Sequence, residues 1–558
     1  MKYTHFTHTI SILCIALLGA LTSCRKESGT VTLGAKIDDY IGAPKLYIDS
    51  NIPQWEEGDP VWINGNGDYS ISFNGTVAQI TNILRDNDNH YTAVYPADIV
   101  TNQGVDGSVS INLSREQVFQ WDTTNSRQQI NVPMIAYTAN GGDLGFKNLC
   151  SLVKVVVSNN TTREISLKRI TLTASSAMLS GPTTASIVTV QGAKQGQLGT
   201  WGSDAEHDVS LVFNAPFSIS PNSPNSRSEF YICVPEFSST ELSIIVYTSD
   251  NCIFPVLKSS VSLDHNAIVS VNLNIGQLIA VHEGFTVDGN GTKVRFSKGN
   301  LQYSRQGTHN TADGNNTDGT WRFAKHQYDV IGVDNNQISN TNYTGWIDLF
   351  GWATSGYNGF SPTLFSTENN AYFNKNNDIN LTTTSNYDWG IYNMIDDYPA
   401  ATWRTPTSDE WDYILDGRTG VTIGSVSNIK FAEVQVNQIK GIILFPDEFE
   451  WPLIITNPIT IYNNVHAGWN ISAFSLAQWS ILESTGAVFL PAAGKRTGNS
   501  TDENNMTGYY WTSSKSGTAT WDKYYALAVL FNTSSVNFGH QYFARSQGNS
   551  VRLVKAIQ

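Results

Sequence analysis

From about residue 31 to 276 the chain repeats one texture: short runs of β-branched and aromatic residues separated by turn formers, with almost no helical periodicity. KLYID, VWING, YTAVYP, SLVKVVVSN, ISLKRITLTA, VSLVFNA, EFYICVP, LSIIVYTS and AIVSVNLN are such runs, with Asn-Gly, Asp-Asn and Pro-Asn between them. Strands at regular spacing without helices can bury their apolar faces only against another sheet, so this region predicts β-sandwiches. Near 277–286 the texture changes: the remainder holds 11 of the 15 tryptophans, more glycine and at least two amphipathic helix candidates. That is a domain boundary, and 558 residues are enough for three or four domains.

Ahead of the first strand, Lys2 precedes ISILCIALLGALTSC, an apolar run of signal-peptide length that is too short for a bilayer anchor. It ends in Leu21-Thr22-Ser23-Cys24, which resembles the lipobox of bacterial lipoproteins. The resemblance implies cleavage after Ser23 and attachment to a membrane through the acylated Cys24, several chains giving a stable anchor. A plain secretory signal with an incidental cysteine is the alternative. Only Glu27, beside Arg25 and Lys26, stands where surface-exported lipoproteins carry an acidic cluster, so the final leaflet stays open. Beyond it Cys150, Cys233 and Cys252 are an odd number and no disulfide framework. Cys233 and Cys252 either pair across neighbouring strands or are two small buried hydrophobes. The net charge of −14, with no basic stripe, excludes a nucleic-acid partner.

The first half carries WEEGDPVWI (Trp55 to Ile63), YTAVYPA (Tyr91 to Ala97), VPMIAYT (Val132 to Thr138) and LGFKNLCSLVKVVVSN (Leu144 to Asn159), followed by LSG (Leu179 to Gly181). In this order the blocks resemble the fimbrillin family, surface lipoproteins of anaerobic Gram-negative bacteria that build or cap pili. The resemblance covers about residues 31–276 and implies two tandem transthyretin-like β-sandwiches, over 24–143 and 144–276 behind the signal peptide 1–23. It further implies that a protease removes the N-terminal strand, here about Val31 to Lys36, with Lys36 and Lys45 as candidate cleavage sites. The groove so opened would take a donor strand from another pilus subunit, a case of β-augmentation.

The second half, 281–558, carries KVRFSKGNLQY, TWRFAKHQYDVIG, GWIDLFGWATSGY, WRTPTSDEW, GIILFPDEFEWP, GAVFLPAAGKR, GYYWTSS and GNSVRLVK. This set is similar to paralogous surface modules with C-type-lectin-like and formylglycine-generating-enzyme-like folds, and implies an α+β domain. The resemblance fixes no single function. No cysteine follows Cys252, so the cysteine-pair oxidation of formylglycine-generating enzymes is excluded for this half. There is no GxSxG elbow, P-loop, Rossmann fingerprint, HExxH or CxxC, and the expectation is a protein without catalytic residues.

Two acidic stretches have the composition of acid–base sites. In Thr407-Ser408-Asp409-Glu410 the spacing is that of a capping box, with Trp411, Ile414 and Leu415 on one apolar face, so the stretch starts a helix. Asp447, Glu448 and Glu450 crowd a Pro-bounded loop that reads as solvated. Asp288 to Gly291 and Asp313 to Trp321 have the flavour of calcium loops without the full frame, so no metal ligand is assigned and a structural calcium stays open. The aromatic-bearing polar segment from Tyr357 to Asp388 is the candidate ligand-binding loop, with Tyr357, Phe360, Tyr372, Phe373 and Asp388 as its contact residues. Aromatic faces cover the apolar side of a sugar while Asn and Asp bond its hydroxyls.

The sequence therefore predicts a mostly β, lipid-anchored outer-membrane protein with two sandwiches and a C-type-lectin-like module. Its expected role is a fimbrial subunit, as a tip adhesin, with other pilus subunits and a surface glycan or protein as partners. The alternative is a non-polymerising glycan-binding lipoprotein.

Overall fold

The computed structural model describes residues 29–38, 55–64, 66–103, 107–122, 127–221, 227–368, 371–372, 380–381, 385–456, 459, 462–464, 472–517 and 522–557. The signal segment, Cys24, Lys45 and Phe373 lie outside the described residues. The described chain is mostly β, as the strand texture predicts.

The first sandwich closes through its N-terminal strand. Its eight-stranded order runs Gly67–Ser70, Pro60–Ile63, Tyr91–Tyr95, Met134–Thr138, Leu144–Asn148, Thr30–Ile37, Val77–Leu84, Ser72–Asn74. The strand Thr30–Ile37 pairs antiparallel to Val77–Leu84 through its first half and parallel to Leu144–Asn148 through its last three residues. Alternation decides its faces: Leu33 and Ala35 point into the core, with Val31 and Ile37 half-buried beside them, while Thr30, Thr32 and Lys36 face water. Leu144–Asn148, which the sequence reading set at the head of the second domain, is hydrogen-bonded into this first sheet; the second sandwich begins at Ser151.

The second sandwich faces a three-stranded sheet (Arg227–Val234, Ser151–Asn159, Ile268–Ile275) against a six-stranded one centred on Phe237–Thr248 and Ile165–Ala174. Val155, Val157, Ile170, Leu172, Phe230 and Ile244 fill the space between them. Arg227–Val234 is an edge strand, and its outward backbone is covered by side chains of the preceding region. The Gln117 amide accepts from Cys233 N–H and donates to Cys233 C=O, at 2.9 and 2.7 Å. Gln128 does the same for Tyr231, both bonds at 2.9 Å. Two glutamines thus stand in for a neighbouring strand and satisfy an exposed edge. Cys150 and Cys233 are buried in the core between the sandwiches and Cys252 lies partly exposed on another sheet; all three are free thiols. Of the two alternatives for Cys233 and Cys252, pairing is not seen: Cys233 is a small buried hydrophobe and Cys252 a partly exposed thiol.

The C-terminal module builds small sheets around two clusters rich in aromatic residues. Its helices start as their sequences dictate. The Thr407 hydroxyl accepts from Glu410 N–H and the Glu410 carboxylate accepts from Thr407 N–H, and Trp411, Ile414 and Leu415 are buried. Ser475 and Gln478 repeat the box for the helix Leu476–Ser484. That helix lays Trp479, Ile481 and Leu482 into a cluster that also contains Ile245 and Ile253 of the second sandwich. The seam is polar as well: Ser243 and Ser480 hydroxyls meet at 2.7 Å, Ser175 Oγ accepts from Ala477 N–H, and Glu241 bonds Ser475 and Gln478. One apolar core runs across the junction, so the module is seated on the sandwich and not tethered beside it.

Candidate functional site

Two places have the geometry for recognition, the N-terminal strand with its neighbours and the surface of the C-terminal module. At the first, Thr30–Ile37 is the piece that joins Val77–Leu84 to Leu144–Asn148. Its removal leaves two strand edges and a trough lined by Ile80, Ile83, Leu144 and Phe146, all fully buried while the strand is in place. Only Leu33 and Ala35 are deeply buried on the strand itself, worth roughly 2–4 kcal/mol of apolar burial. Main-chain bonds to both neighbours supply the rest, and any strand of similar alternation can make those. Lys36 sits inside the strand, its ammonium exposed and 2.7 Å from the Asp143 carboxylate. A protease acting there must first unpair the sheet, so Lys36 is poorly placed as a processing site.

In the module, the loop residues separate into two groups. Tyr357 and Phe360 are half-buried and meet Tyr387, ring centroids 5.1 and 5.7 Å away, so they do come together. Tyr372 is buried, its hydroxyl donating to Leu364 C=O. Asp388 is buried too: it caps the short helix Trp389–Tyr392, accepting from Gly390 and Ile391 N–H, and it accepts from Thr405 N–H. Burial pushes the Asp388 carboxyl above its ordinary range even though these bonds pull the other way. Tyr372 and Asp388 are thus corrected from ligand contacts to parts of the scaffold, because backbone groups already occupy their polar atoms.

Other acidic groups are likewise committed. Asp447 is not solvated: it binds the buried Arg418 guanidinium at 2.9 Å and accepts from the Thr286 N–H and hydroxyl, while Glu448 stays exposed. Asp288 accepts from Asn290 and Thr292, and Asp313 from Thr311 and Asn315, each carboxylate closing its own turn. Among the described residues no group of three or more His, Cys, Asp and Glu has metal-binding geometry.

The sequence reading missed a basin of about 700 Å³ on the module, lined among others by Phe323, Asp396, Asp397, Tyr398 and Trp403. Its one sign in the sequence is the Asp396-Asp397-Tyr398 run, two carboxylates beside an aromatic residue.

No protein-family model matches the chain, and no curated protein does. Among solved structures, a proposed cell adhesion protein from Bacteroides ovatus ATCC 8483 is 11% identical, with 45% of this chain and 96% of that one covered and a TM-score of 0.29. A second proposed cell adhesion protein, from Bacteroides fragilis NCTC 9343, is 9% identical over 44% and 92% of the two chains, with a TM-score of 0.23. A fimbrial assembly protein from Parabacteroides distasonis ATCC 8503 is 10% identical over 48% and 94%, with a TM-score of 0.20. Likeness at these scores assigns neither fold nor function by itself. No helix among the described residues is long and apolar enough to cross a membrane.

Proposed function

We propose that this chain is a surface subunit of a pilus that accepts a donor strand in its first sandwich and presents its C-terminal module as an adhesin. The observation that carries the reading is the place of Thr30–Ile37: a closing strand held by two deeply buried side chains, whose loss leaves two edges and an apolar trough. The fimbrillin-like blocks of the sequence supply the same expectation independently. The chain after Ile275 pairs through Ile279–Ala280 with Cys252–Leu263 and then enters the seated module, so it is not free to serve as a donor strand. A subunit that accepts without donating from that position ends a polymer, which supports a tip role. Attachment through Cys24 at the outer membrane before assembly belongs to the same reading.

A second reading, a glycan-binding lipoprotein that does not polymerise, is favoured by Lys36 lying inside a paired strand. Unboiled extracts of the native cells separate the two. A ladder of detergent-resistant bands carrying this chain with other pilus subunits supports the first, and a monomer alone refutes it.

A further inference from the structure

The basin on the C-terminal module shares no lining residue with the Tyr357–Asp388 loop and is built from four stretches distant in sequence: 283–298, 323–327, 396–403 and 483–488. Its volume of about 700 Å³ falls in the range of small-molecule sites, roughly 300–1,000 Å³. Tyr398 is the aromatic residue it offers to solvent, 39% exposed, set edge-on against Trp403 with ring centroids 5.5 Å apart. The Lys555 ammonium lies 5.0 and 4.9 Å from the two ring centroids and holds them as a pair. The turn that carries Tyr398 is stiff. Ile395 and Tyr398 bond each other in both directions, Asp396 N–H donates to Trp321 C=O and Ala401 N–H to Gly390 C=O. Asp396 and Ala401 at its two ends have φ of +50° and +64°, a left-handed conformation that costs roughly 1–2 kcal/mol in a residue with a Cβ. Strain of this kind persists where the surrounding structure fixes the turn, and such places cluster at binding sites.

The polar lining selects the ligand class. Its charges come in pairs of opposite sign: Glu283 with Arg295 at 3.1 Å and Asp396 with Lys298 at 3.9 Å, with the exposed Asp397 beside them. Paired charges offer acceptors and donors side by side, and a hydroxyl is the group that uses both. An anionic ligand meets more carboxylates than cations here, because Asp397 and Glu483 add to the two paired ones. A ring with one apolar face and many hydroxyls fits both the exposed tyrosine and this lining.

We infer that the basin around Tyr398 and Asp397 is a binding site for a neutral sugar, stacked on Tyr398 and hydrogen-bonded by the paired charges. This deepens the adhesin reading by naming its ligand class, and it needs no metal. The test applies the full mature chain to an array of neutral, sialylated and sulfated oligosaccharides with EDTA present, then measures the strongest hit by titration calorimetry. Neutral glycans are retained, Tyr398→Ala weakens binding at least about tenfold, Tyr398→Phe keeps it, and Asp397→Asn weakens it several-fold, each with an unchanged melting temperature. If Tyr398→Ala fails to fold, the Asp397→Asn and Tyr398→Phe pair decides. Retention of only charged glycans, capture of basic peptides in place of sugars, no glycan binding, or binding indifferent to these variants overturns the inference. The detergent-resistant ladder is scored separately in cells carrying Tyr398→Ala. Its presence with glycan binding lost sustains both proposals, and its absence already in wild-type cells sinks the pilus reading alone.

Discussion

Glu206→Gln keeps the shape of a side chain at the seam and removes the charge that ties the second sandwich to the C-terminal module. Glu206 is 7% exposed; its carboxylate lies 2.7 Å from His326 Nε2 and is also paired with Lys325. Burial by itself pushes this carboxyl up, but hydrogen bonds from His326 and Lys325, with the charges of His326 and Arg115, outweigh it and hold the group at about 2 instead of 4.5. A depression of that size corresponds to on the order of 3 kcal/mol of stabilisation. It is fully present above the unfolded value of 4.5 and is lost as pH falls toward about 2. His326 works with the opposite sign. Burial draws its pKa down, the Glu206 hydrogen bond together with the charges of Asp329, Glu206 and Glu483 outweighs this, and the imidazole is held above 6.5. Its contribution is complete below 6.5 and fades as pH rises through the folded value, so docking is strongest between about 4.5 and 6.5. Lys325 is 43% exposed, so solvent screens its share. Urea unfolding followed by tryptophan fluorescence reads the effect, since 11 of the 15 tryptophans lie in the module half. Glu206→Gln is expected to cost about 2–3 kcal/mol near pH 5.5, shrinking to less than half by about pH 3. A loss of equal size at both pH values, or none near pH 5.5, refutes the reasoning.

Trp479→Ala opens a cavity in the core shared by sandwich and module and should cost about 3–5 kcal/mol, read as a drop in melting temperature. Asp388→Ala leaves the N–H groups of Gly390, Ile391 and Thr405 without their acceptor and should destabilise by about 1–3 kcal/mol while leaving glycan affinity unchanged; lost affinity in a folded variant would restore Asp388 as a contact. Burial holds the Cys150 thiol well above its ordinary range and lifts Cys233 to about 12, so in the native chain trimmed of its first 24 residues a thiol reagent should modify Cys252 alone, and all three once urea is added.

Much of the β architecture was legible because the pattern is local. Ser151–Asn159 and Ile165–Ala174 are β-branched runs long enough to read, and the Thr407–Glu410 box needs only four residues. What escaped depends on distant partners. Leu144–Asn148 looked like the start of the second sandwich, yet it pairs with Met134–Thr138 on one side and with residues 35–37, more than a hundred positions earlier, on the other. Asp447 looked solvated because Arg418, 29 residues before it, is folded beneath the loop. Gln117 and Gln128 carry no sign in the sequence that their amides will finish the edge of a strand at 231–233. Asp388 was legible and misread: an acidic residue before Trp-Gly-Ile-Tyr satisfies the helix-cap rule as well as a ligand role. Of the basin only the Asp396-Asp397-Tyr398 run is visible in the sequence, since its four stretches meet only in the fold.

Strand exchange at the first sandwich tests the central claim most directly. A protease site placed within residues 39–54 lets Thr30–Ile37 be cut from its sandwich after the whole chain has folded. The cut protein is then incubated with a labelled peptide TVTLGAKI and followed by native gel and mass spectrometry. Release of the strand and uptake of one peptide per chain, with a melting temperature that falls on release and recovers on uptake, is the predicted result. A cut chain that holds its strand against excess peptide, or that keeps full stability once the strand has gone, contradicts an accepting groove.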